Sequence, residues 1–428
     1  MDNKSFRVIT LGCKLNFCES AAIEKSMSEG GFSPAPENQP ADICIINTCA
    51  VTGMAVSKAR HALSASKREN PGCITVLCGC FPQSYPKEAG LDCGADIVTG
   101  NSDKSRICGM VKDFLNNHTK QVNIKPLSRD YDETSAVPDE DRTRAFIKIE
   151  DGCNRFCSYC IIPTARGRVR SLAPDKITEQ AIHCAENGHK EIVLTGINLG
   201  CYGEDLGLTL ADAVKAAEKS GVPRIRLSSL EPEMMTDEVI AGLKSVKSLC
   251  PHFHLSLQSG SDSVLRAMNR RYDTAQYKSV ADKLRLTFPG CSLTTDIIVG
   301  FPGETDEDFA KSMDFAEKIG FSKIHVFPYS IRKGTVAAEM EQVMPQVKTE
   351  RAKAMNAAAK ELEYRFFQSV LGTEHTVLVE KKQSEQYSNG FTESYIPVRI
   401  YGEEIPRHSL VKVKITGARE GFCVGKPI

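Results

Sequence analysis

Three cysteines in the middle of the chain have a spacing that suits an iron–sulfur cluster. Cys153, Cys157 and Cys160 lie in the segment DGCNRFCSYC, directly after a predicted strand. A cubane [4Fe–4S] cluster offers one iron per thiolate, so three thiolates on one short loop leave its last iron free to bind a small molecule. The alternatives are a zinc site, which usually has paired CxxC elements, or chance clustering in a cysteine-rich chain. The position of the loop after a strand favours the cluster.

Three further cysteines, far apart in the sequence, also follow predicted strands. Cys13 lies in TLGCKLN, Cys49 in INTCAV and Cys80 in LCGCF. The carboxyl ends of parallel strands meet at one edge of a sheet, where ligands bind in open α/β folds. The three thiolates are therefore expected to converge and suggest a second cluster, again with one open iron. The alternative is that they are ordinary core cysteines, as Cys44, Cys73 and Cys78 are expected to be.

The elements that position the separated cysteines alternate between strands and helices. Across residues 4–120, short apolar runs and longer amphipathic stretches follow each other, which is typical of a doubly wound parallel α/β domain. The predicted strands are Phe6–Leu11, Asp42–Asn47, Ile74–Leu77 and Ala95–Val98. The periodicity fails across residues 121–143, where Pro126, Pro138 and the charged run DEDRTR indicate an exposed linker.

A second series of strands and helices occupies residues 144–370. Its predicted strands are Phe146–Ile149, Glu191–Leu194, Arg224–Leu227, Phe253–Leu257, Ser292–Val299 and Lys323–Phe327. Helices are expected between them, for example at Pro174–Asn187 and Thr305–Ile319. This many βα units favours a partial (β/α)6 barrel with its chemistry at the carboxyl ends of the strands, and an open six-stranded sheet is the alternative. The segment Thr349–Ser369 lacks Gly and Pro and predicts one long helix.

The last part, residues 371–428, has a different pattern. Alternating β-branched runs predict strands at Thr376–Glu380, Ile396–Ile400 and Leu410–Ile415, with Gly390, Gly402 and Gly417 between them. This pattern predicts a small antiparallel β-barrel.

Composition narrows the class of protein. The chain has 428 residues, 41% of them hydrophobic and 25% charged, which fits two or three globular domains. No apolar run approaches a membrane span, and Met1 to Ile9 lack the core of a signal peptide, so we expect a cytoplasmic protein without a membrane partner. Its 17 cysteines then favour metal binding over disulfides. Lys and Arg balance Asp and Glu at 54 each, so charge alone indicates no nucleic-acid partner.

The ordered motifs GCKLN, NTCAV, GCF and DGCNRFCSYC resemble the signatures of the radical S-adenosylmethionine (SAM) methylthiotransferase family. The likeness covers essentially the whole chain. It implies an N-terminal domain with an auxiliary [4Fe–4S] cluster, a radical SAM barrel and a C-terminal RNA-binding barrel called the TRAM domain. The implied ligands are Cys13, Cys49 and Cys80 for the auxiliary cluster, and Cys153, Cys157 and Cys160 for the SAM cluster.

Five further segments resemble segments of this family: LTGINLG, SSLEP, HLSLQSGSD, TTDIIVGFPGET and HVFPYS. Each begins at or follows a predicted strand end, where SAM or substrate is expected. On that basis the predicted SAM contacts are Gly196, Glu231, Gln258, Asp296 and Phe327. Turn formation or packing is the alternative role for each of them.

The resemblance also implies a reaction and its partners. One SAM methylates a sulfur at the auxiliary cluster, a second SAM supplies a 5′-deoxyadenosyl radical, and the methylthio group joins carbon 2 of an adenine. GCKLN and GFTESY at Gly390–Tyr395 look most like the branch that acts on N6-threonylcarbamoyladenosine at position 37 of tRNA. The implied partners are the tRNA anticodon loop and a reductant protein such as flavodoxin or ferredoxin.

Basic residues provide candidate phosphate contacts for such an RNA. They are Arg166, Arg168 and Arg170 after the central cysteines, and Lys381, Lys382, Arg399 and Arg407 in the last part. Ordinary solvated charge is the alternative. Four other functions remain open: action on isopentenyl-adenosine in tRNA, action on a ribosomal protein side chain, an RNA-binding iron–sulfur sensor without turnover, and a radical SAM methylase without an auxiliary cluster.

Overall fold

The computed structural model describes residues 4–50, 53–132, 142–380, 386–402 and 405–428. Its contacts divide the chain into two compact units. The first comprises Met1–Val137, Glu150–Leu172 and Ser330–Thr335, and the second comprises Pro138–Ile149, Ala173–Tyr329 and Val336–Ile428. In the described ranges, no helix is both long enough and apolar enough to cross a lipid bilayer.

The N-terminal stretch of the first unit is an α/β domain. Its strands are β1 (Ser5–Thr10), β2 (Ser33–Pro34), β3 (Ile43–Thr48), β4 (Ile74–Gly79), β5 (Ile97–Thr99) and β6 (Gln121–Asn123). Its helices are α1 (Lys14–Glu29), α2 (Gly53–Glu69), α3 (Cys80–Ser84), α4 (Pro86–Asp92) and α5 (Ile107–Asn117). The strands form one parallel sheet in the order β2-β1-β3-β4-β5-β6.

Apolar layers cover both faces of this sheet, as the doubly wound prediction requires. β3 and β4 are buried at every position, which is typical of strands with helices on both sides. One face packs against Ile23 and Met27 of α1 and Val111 of α5. The other packs against Leu63 of α2 and Ala89 of α4. The doubly wound fold is therefore confirmed.

One boundary of the predicted linker is wrong. β6 is hydrogen-bonded to β5 at the edge of the sheet, so residues 121–123 belong to the domain and not to the linker. Its short polar sequence QVN gave no strand signal, because an edge strand needs few apolar residues. Residues 133–141 of the predicted linker lie outside the described residues.

The next part of the chain contains the second series of strands and the helices between them. These strands are β7 (Ala145–Lys148), β8 (Glu150–Asp151), β9 (Arg170–Ser171), β10 (Glu191–Thr195), β11 (Arg224–Leu227), β12 (Ser229–Leu230), β13 (His252–Leu255), β14 (Ser292–Val299) and β15 (Lys323–Pro328). The helices are α6 (Ile162–Arg166), α7 (Pro174–Glu186), α8 (Leu210–Glu218), α9 (Asp237–Lys244), α10 (Asp262–Ala267), α11 (Thr274–Thr287), α12 (Asp306–Ile319) and α13 (Pro345–Ser369).

In the second unit, the parallel strands keep their chain order. One sheet runs β11-β10-β7 and the next runs β12-β13-β14-β15, and Ser228 alone separates β11 from β12. A doubly wound sheet would reverse its order at a switch point, whereas a barrel keeps adding strands on the same side. The order therefore favours the predicted partial barrel over the open six-stranded sheet.

The C-terminal part of the second unit is a closed five-stranded barrel. Its strands are β16 (Glu374–Val379), β17 (Tyr387–Thr392), β18 (Pro397–Tyr401), β19 (Leu410–Arg419) and β20 (Phe422–Pro427), in the order β16-β17-β18-β20-β19. All neighbours are antiparallel except β18 and β20. Val377, Val398 and Val413 are among the residues of its core. The predicted small β-barrel is confirmed, with two strands that the sequence pattern did not indicate.

Candidate active site

The three separated cysteines lie at one edge of the N-terminal sheet. Cys13 directly precedes α1 after β1, Cys49 follows β3, and Cys80 begins α3 directly after β4. Because β1, β3 and β4 are parallel neighbours, their carboxyl ends bring these thiols to the same edge. Cys49 and Cys80 are buried, and the Cys13 thiol interacts electrostatically with Cys80 and Arg166. Cys13 is exposed as a residue, but desolvation of its sulfur raises the pKa of the thiol.

A buried asparagine fixes the loops that carry these cysteines. Asn16 lies one helical turn after Cys13, and its Nδ2 donates to the carbonyl of Thr48 at 3.0 Å and to Oδ1 of Asn47 at 3.3 Å. Its Oδ1 accepts from the Cys13 thiol at 3.3 Å. The Asn47 amide donates back to the Asn16 carbonyl at 3.0 Å. These bonds hold the start of α1 against the end of β3, directly before Cys49.

Gly79 lets the backbone bring Cys80 close to the Cys49 loop. Gly79 has φ +101°, and a Cβ at this position would lie 2.6 Å from the carbonyl oxygen of Thr48 and 2.8 Å from Oδ1 of Asn47. A side chain is therefore excluded by both the backbone angle and the space. The structure therefore explains why the GCF motif begins with glycine, which the sequence alone did not explain.

The central cysteines lie on a short loop of the first unit that its own backbone holds in place. The backbone N–H of Cys153 donates to the carbonyl of Gly167 at 3.0 Å, and that of Cys160 donates to the carbonyl of Cys157 at 3.0 Å. Gly152 has φ +89° and lies directly against the carbonyl of Arg168, where a Cβ would collide. All three thiol residues are partly exposed, as a loop that binds an external ligand requires.

One cysteine of the first group, Cys80, lies beside the segment that follows the central loop. Cys80 packs against Ile161 and Ala165, which directly follow the central loop. The Nδ2 of Asn101 lies 3.6 Å from the sulfur of Cys80 and donates to the carbonyl of Ala165 at 2.6 Å. The sequence predicted each group separately, and the structure brings the auxiliary group next to the segment that begins at Cys160.

Arg166 is the centre of a buried ion network beside these cysteines. It has no exposed surface, and its guanidinium binds both carboxylate oxygens of Glu19, at 2.6 and 3.1 Å, and both of Asp151, each at 3.3 Å. It also donates to Oδ1 of Asn16 at 3.2 Å, the oxygen that accepts from Cys13. The buried ammonium of Lys104 pairs with Glu19 as well.

This burial overturns part of the predicted RNA surface. Arg166 faces carboxylates, and burial opposes its charge while Cys80, Glu19 and Asp151 raise the pKa of its guanidinium above the usual value. Arg170 is also buried, and it contacts Asp151 at 3.4 Å and donates to the carbonyl of Ser128 at 2.7 Å. Both predictions of phosphate contact are wrong, because the two side chains are buried and bind carboxylates and a backbone carbonyl of the protein itself. Arg168 is exposed, with its guanidinium 5.0 Å from the ring of Phe156.

The C-terminal candidates have mixed outcomes. The guanidinium of Arg399 lies 3.7 Å from the ring centre of Phe422 and 4.7 Å from that of Tyr387. The residue is partly exposed, and its contact with RNA stays a prediction. Arg407 is partly exposed, and its contact with RNA stays a prediction. Lys381 and Lys382 lie outside the described residues.

The segment GFTESY is used for packing inside the second unit. The rings of Phe391 and Tyr395 stack at 4.6 Å, and the guanidiniums of Arg144 and Arg226 lie between 4.6 and 5.3 Å from these rings. A Cβ at Gly390 would collide with the carbonyl of Leu378. These contacts give the segment a structural role, so its presence is weaker support for the threonylcarbamoyladenosine substrate.

The predicted SAM contacts are spread over the strands of the second unit. Gly196 directly follows β10 and Glu231 directly follows β12, where its carboxylate pairs with Arg270. Gln258 has φ +68° and donates through its backbone N–H to the carbonyl of Asp296 at 2.9 Å. Asp296 itself lies within β14, not at its end, and Phe327 is half exposed near the end of β15. SAM contact stays a prediction for all five.

The donor set fits iron–sulfur clusters at the six predicted ligands better than at other cysteines. Cys44, Cys73 and Cys78 are buried in the apolar layers on the two faces of the sheet, as predicted. Burial raises the pKa of Cys73 to about 11 and that of Cys78 to about 12. The candidate ligands instead lie at strand ends and on the central loop, where their sulfur atoms can bind iron.

Comparison with known proteins agrees with this arrangement. Residues 147–316 match the model of the Radical SAM superfamily, and residues 5–100 match the uncharacterized protein family UPF0004. The solved structure of the radical SAM methyltransferase TsrM from Kitasatospora setae superposes with a TM-score of 0.59 at 12% identity, over 79% of this chain and 75% of that chain. At this identity the likeness concerns the fold alone.

Curated relatives extend over nearly the whole chain. The threonylcarbamoyladenosine tRNA methylthiotransferase MtaB of Thermotoga maritima is 38% identical, over 96% of this chain and 94% of its own. MtaB of Bacillus subtilis is also 38% identical, over 97% and 95%. The tRNA-2-methylthio-N(6)-dimethylallyladenosine synthase of Carboxydothermus hydrogenoformans is 35% identical, over 97% of both chains. The chain therefore belongs to the family of radical SAM methylthiotransferases, enzymes that use SAM and [4Fe–4S] clusters.

Proposed function

We propose that this enzyme adds a methylthio group to carbon 2 of N6-threonylcarbamoyladenosine at position 37 of tRNA. The support for the substrate is the pair of MtaB relatives at 38% identity, whose names specify this nucleoside. Relatives at 35% identity are named for the dimethylallyl nucleoside, so that substrate is the second candidate. The tRNA anticodon loop would present the base, and a small reductant protein such as flavodoxin or ferredoxin would supply electrons.

The observation that carries the chemistry is the position of Cys80 against the segment that follows the central cysteine loop, within one compact unit. We assign Cys153, Cys157 and Cys160 to the cluster that binds SAM, and Cys13, Cys49 and Cys80 to the auxiliary cluster. Cys153, Cys157 and Cys160 would hold the cluster and SAM, and this group would supply radical chemistry at an aromatic carbon whose hydrogen is too weakly acidic for any side-chain base. The packing of Cys80 against Ile161 and Ala165 supports a short path from one group to the other.

The protein residues around the cysteines have separate tasks in this proposal. Asn16 fixes the start of α1, next to Cys13, through its bonds to the Thr48 carbonyl and to Asn47. The Arg166 guanidinium places a fixed positive charge beside thiolates that would otherwise repel each other in a poorly solvated site. The exposed Arg168 is the remaining candidate of its group for a phosphate of the RNA.

A matched pair of variants tests the assignment of the auxiliary ligands. Cys80 is an assigned ligand, whereas Cys78, two residues earlier, is a buried core thiol. After anaerobic reconstitution, Cys80→Ala should lose about four of roughly eight irons per chain, and Cys78→Ala should keep them all. Full iron content in Cys80→Ala, with an unchanged Mössbauer spectrum, would remove Cys80 from the ligand set.

The substrate is tested with synthetic anticodon stem-loops that carry either modified adenosine. The reconstituted enzyme, SAM, a reductant and each RNA are combined, and nucleosides are measured by mass spectrometry. Methylthiolation of the threonylcarbamoyl RNA alone supports the proposal. Exclusive reaction with the dimethylallyl RNA would assign the chain to the second candidate.

A further inference from the structure

Two histidines and an aspartate meet on three neighbouring strands of the second unit. His254 lies on β13, Asp296 on β14 and His325 on β15. One ligand atom from each, an imidazole nitrogen or a carboxylate oxygen, lies within 4.8 Å of the others. The Nε2 of His254 is 3.4 Å from Oδ2 of Asp296, and the two histidine rings are 5.9 Å apart.

The strand register explains why these residues meet. His254 pairs with Thr294, and Asp296 pairs with His325. Thr294 and Asp296 are two residues apart on β14, so they point to the same face of the sheet. The three side chains therefore project from adjacent strands on one side, and the cluster follows from backbone pairing.

That side of the sheet is the one opposite α11. Phe253 and Leu255 alternate with His254 along β13 and are completely buried. The ring of Phe253 is 4.9 Å from that of Phe288 at the end of α11, and the hydroxyl of Tyr277 on α11 donates to the carbonyl of Leu255 at 2.8 Å. Since the Phe253 ring faces α11 and successive side chains of a strand alternate, His254 faces the opposite side, toward the interior of the partial barrel.

The geometry of the group matches that of a metal site. Zinc binds imidazole nitrogen and carboxylate oxygen at about 2.0–2.2 Å, which separates neighbouring tetrahedral ligands by roughly 3.4 Å. The distance from His254 to Asp296 agrees with this separation. The Nδ1 of His254 lies 2.9 Å from Oγ1 of Thr294, and such a bond turns the other ring nitrogen toward a metal.

We propose that His254, Asp296 and His325 bind a divalent transition-metal ion, with zinc the best fit to this donor set. Two imidazoles and one carboxylate are the ligands of zinc sites that keep a position open for water or substrate, and non-haem iron uses the same set. The open position would face the inner side of the sheet, where the ion could bind an oxygen atom of a ligand. This role would replace the predicted contact of Asp296 with SAM.

The test measures zinc in the enzyme with both clusters in place. Anaerobically reconstituted protein is incubated with zinc sulfate, dialysed, and analysed for zinc and iron by mass spectrometry. We expect about one zinc per chain, with iron unchanged. X-ray absorption at the zinc edge should show nitrogen and oxygen ligands at about 2.0–2.1 Å and no sulfur at about 2.3 Å. Sulfur ligands would show that zinc sits on cysteines, and the proposal would fail.

Variants locate the ion. His325→Ala and Asp296→Asn should each weaken zinc binding by at least tenfold, measured as the dissociation constant by competition with a chelator. His325 is exposed, so its replacement leaves the core intact. His183→Ala removes an exposed histidine of α7 and should change nothing. If wild-type enzyme retains no zinc, or if His325→Ala retains as much as wild type, the proposal is overturned.

Discussion

Arg166 shows how one side chain can serve two carboxylates and a cysteine at once. Its guanidinium is fully buried between Glu19 and Asp151 and reaches Cys13 through Asn16. An arginine six residues after a cysteine motif gives no sequence signal that distinguishes burial from exposure, so it was predicted as an RNA contact. Its carboxylate partners lie 147 and 15 residues away in the chain. Only the folded structure can pair them.

We predict that Arg166→Met destabilises the protein more than any change at an exposed neighbour. Removal of the guanidinium leaves the carboxylates of Glu19 and Asp151 buried without this partner, which typically costs about 3–5 kcal/mol. Arg168→Met is the matched control, since Arg168 is exposed and makes one cation–π contact with Phe156, so about 1 kcal/mol or less is expected. Urea unfolding of the two proteins, followed by circular dichroism, measures the difference. Equal midpoints would contradict this account of the network.

We also predict that Gly79→Ala disrupts the auxiliary site. The new Cβ would lie within 3 Å of Thr48 and Asn47, so the Cys80 loop must move. Iron after reconstitution should fall by about four per chain. Gly94→Ala is the control, because Gly94 also has a positive φ, +67°, but has nothing within 4 Å of a Cβ. Iron loss in both variants would point to backbone strain instead of the clash.

The places of these cysteines in the fold were predictable from the sequence, and their role as cluster ligands stays a prediction. Cys153, Cys157 and Cys160 share one loop, and Cys13, Cys49 and Cys80 each follow a strand that apolar runs reveal. Asn16 was missed although it lies one turn after Cys13. An asparagine near a helix start usually indicates a cap, so its tie to the Thr48 carbonyl had no separate signal.

At the scale of elements, a buried carboxylate holds three arginines in the second unit. Glu191 on β10 has no exposed surface and contacts Arg226 at 2.7 Å, Arg144 at 2.7 Å and Arg224 at 3.5 Å. Burial opposes its ionisation, but Arg226 and Arg144 outweigh burial and lower the pKa of Glu191 from 4.5 to about 2. The folded state therefore holds the ionised carboxylate more tightly than the unfolded chain does.

This shift predicts how stability changes with pH. Because the pKa of Glu191 is depressed on folding, its contribution is fully present above pH 4.5 and is lost as pH falls toward 2. At pH 7, Glu191→Gln should lower the free energy of unfolding by about 3 kcal/mol, and the gap to wild type should close between these pH values. Urea unfolding at several pH values measures it, with exposed Glu186→Gln as the control. A gap that does not depend on pH would contradict the assignment.

Elements with a strong apolar pattern were predicted nearly to the residue. β11 and β14 have the predicted bounds, and α13 begins four residues earlier than expected, at Pro345, where proline suits the first helical turn. β17 and β20 were missed because they contain Gly390 and Gly425, which weaken a strand pattern. A Cβ at Gly425 would meet Val398 at 2.7 Å, so the barrel needs glycine there for close packing. Such a need depends on neighbours that the local sequence does not show.

At the scale of the molecule, changes in the hydrophobic pattern along the sequence predicted the order of the α/β domain, the partial barrel and the small β-barrel. The contacts of the small barrel could not be predicted, because they depend on single side chains from distant strands. Within the second unit, Arg224 donates to the carbonyls of Phe391 and Thr376, and Arg226 donates to that of Glu393. From the sequence alone, charged residues in a barrel strand are as consistent with contacts to a ligand as with contacts to another part of the chain. In this structure, Arg224 and Arg226 bind backbone carbonyls of the C-terminal barrel.

The most direct test of the account is the nucleoside that the enzyme makes in a cell. The gene is expressed in a bacterial host that lacks an enzyme of this branch, and bulk tRNA is digested and analysed by mass spectrometry. The account predicts methylthio-threonylcarbamoyladenosine with the parent gene and none with Cys153→Ala. If that nucleoside never appears, although the purified protein holds two clusters and cleaves SAM, the proposed substrate is wrong.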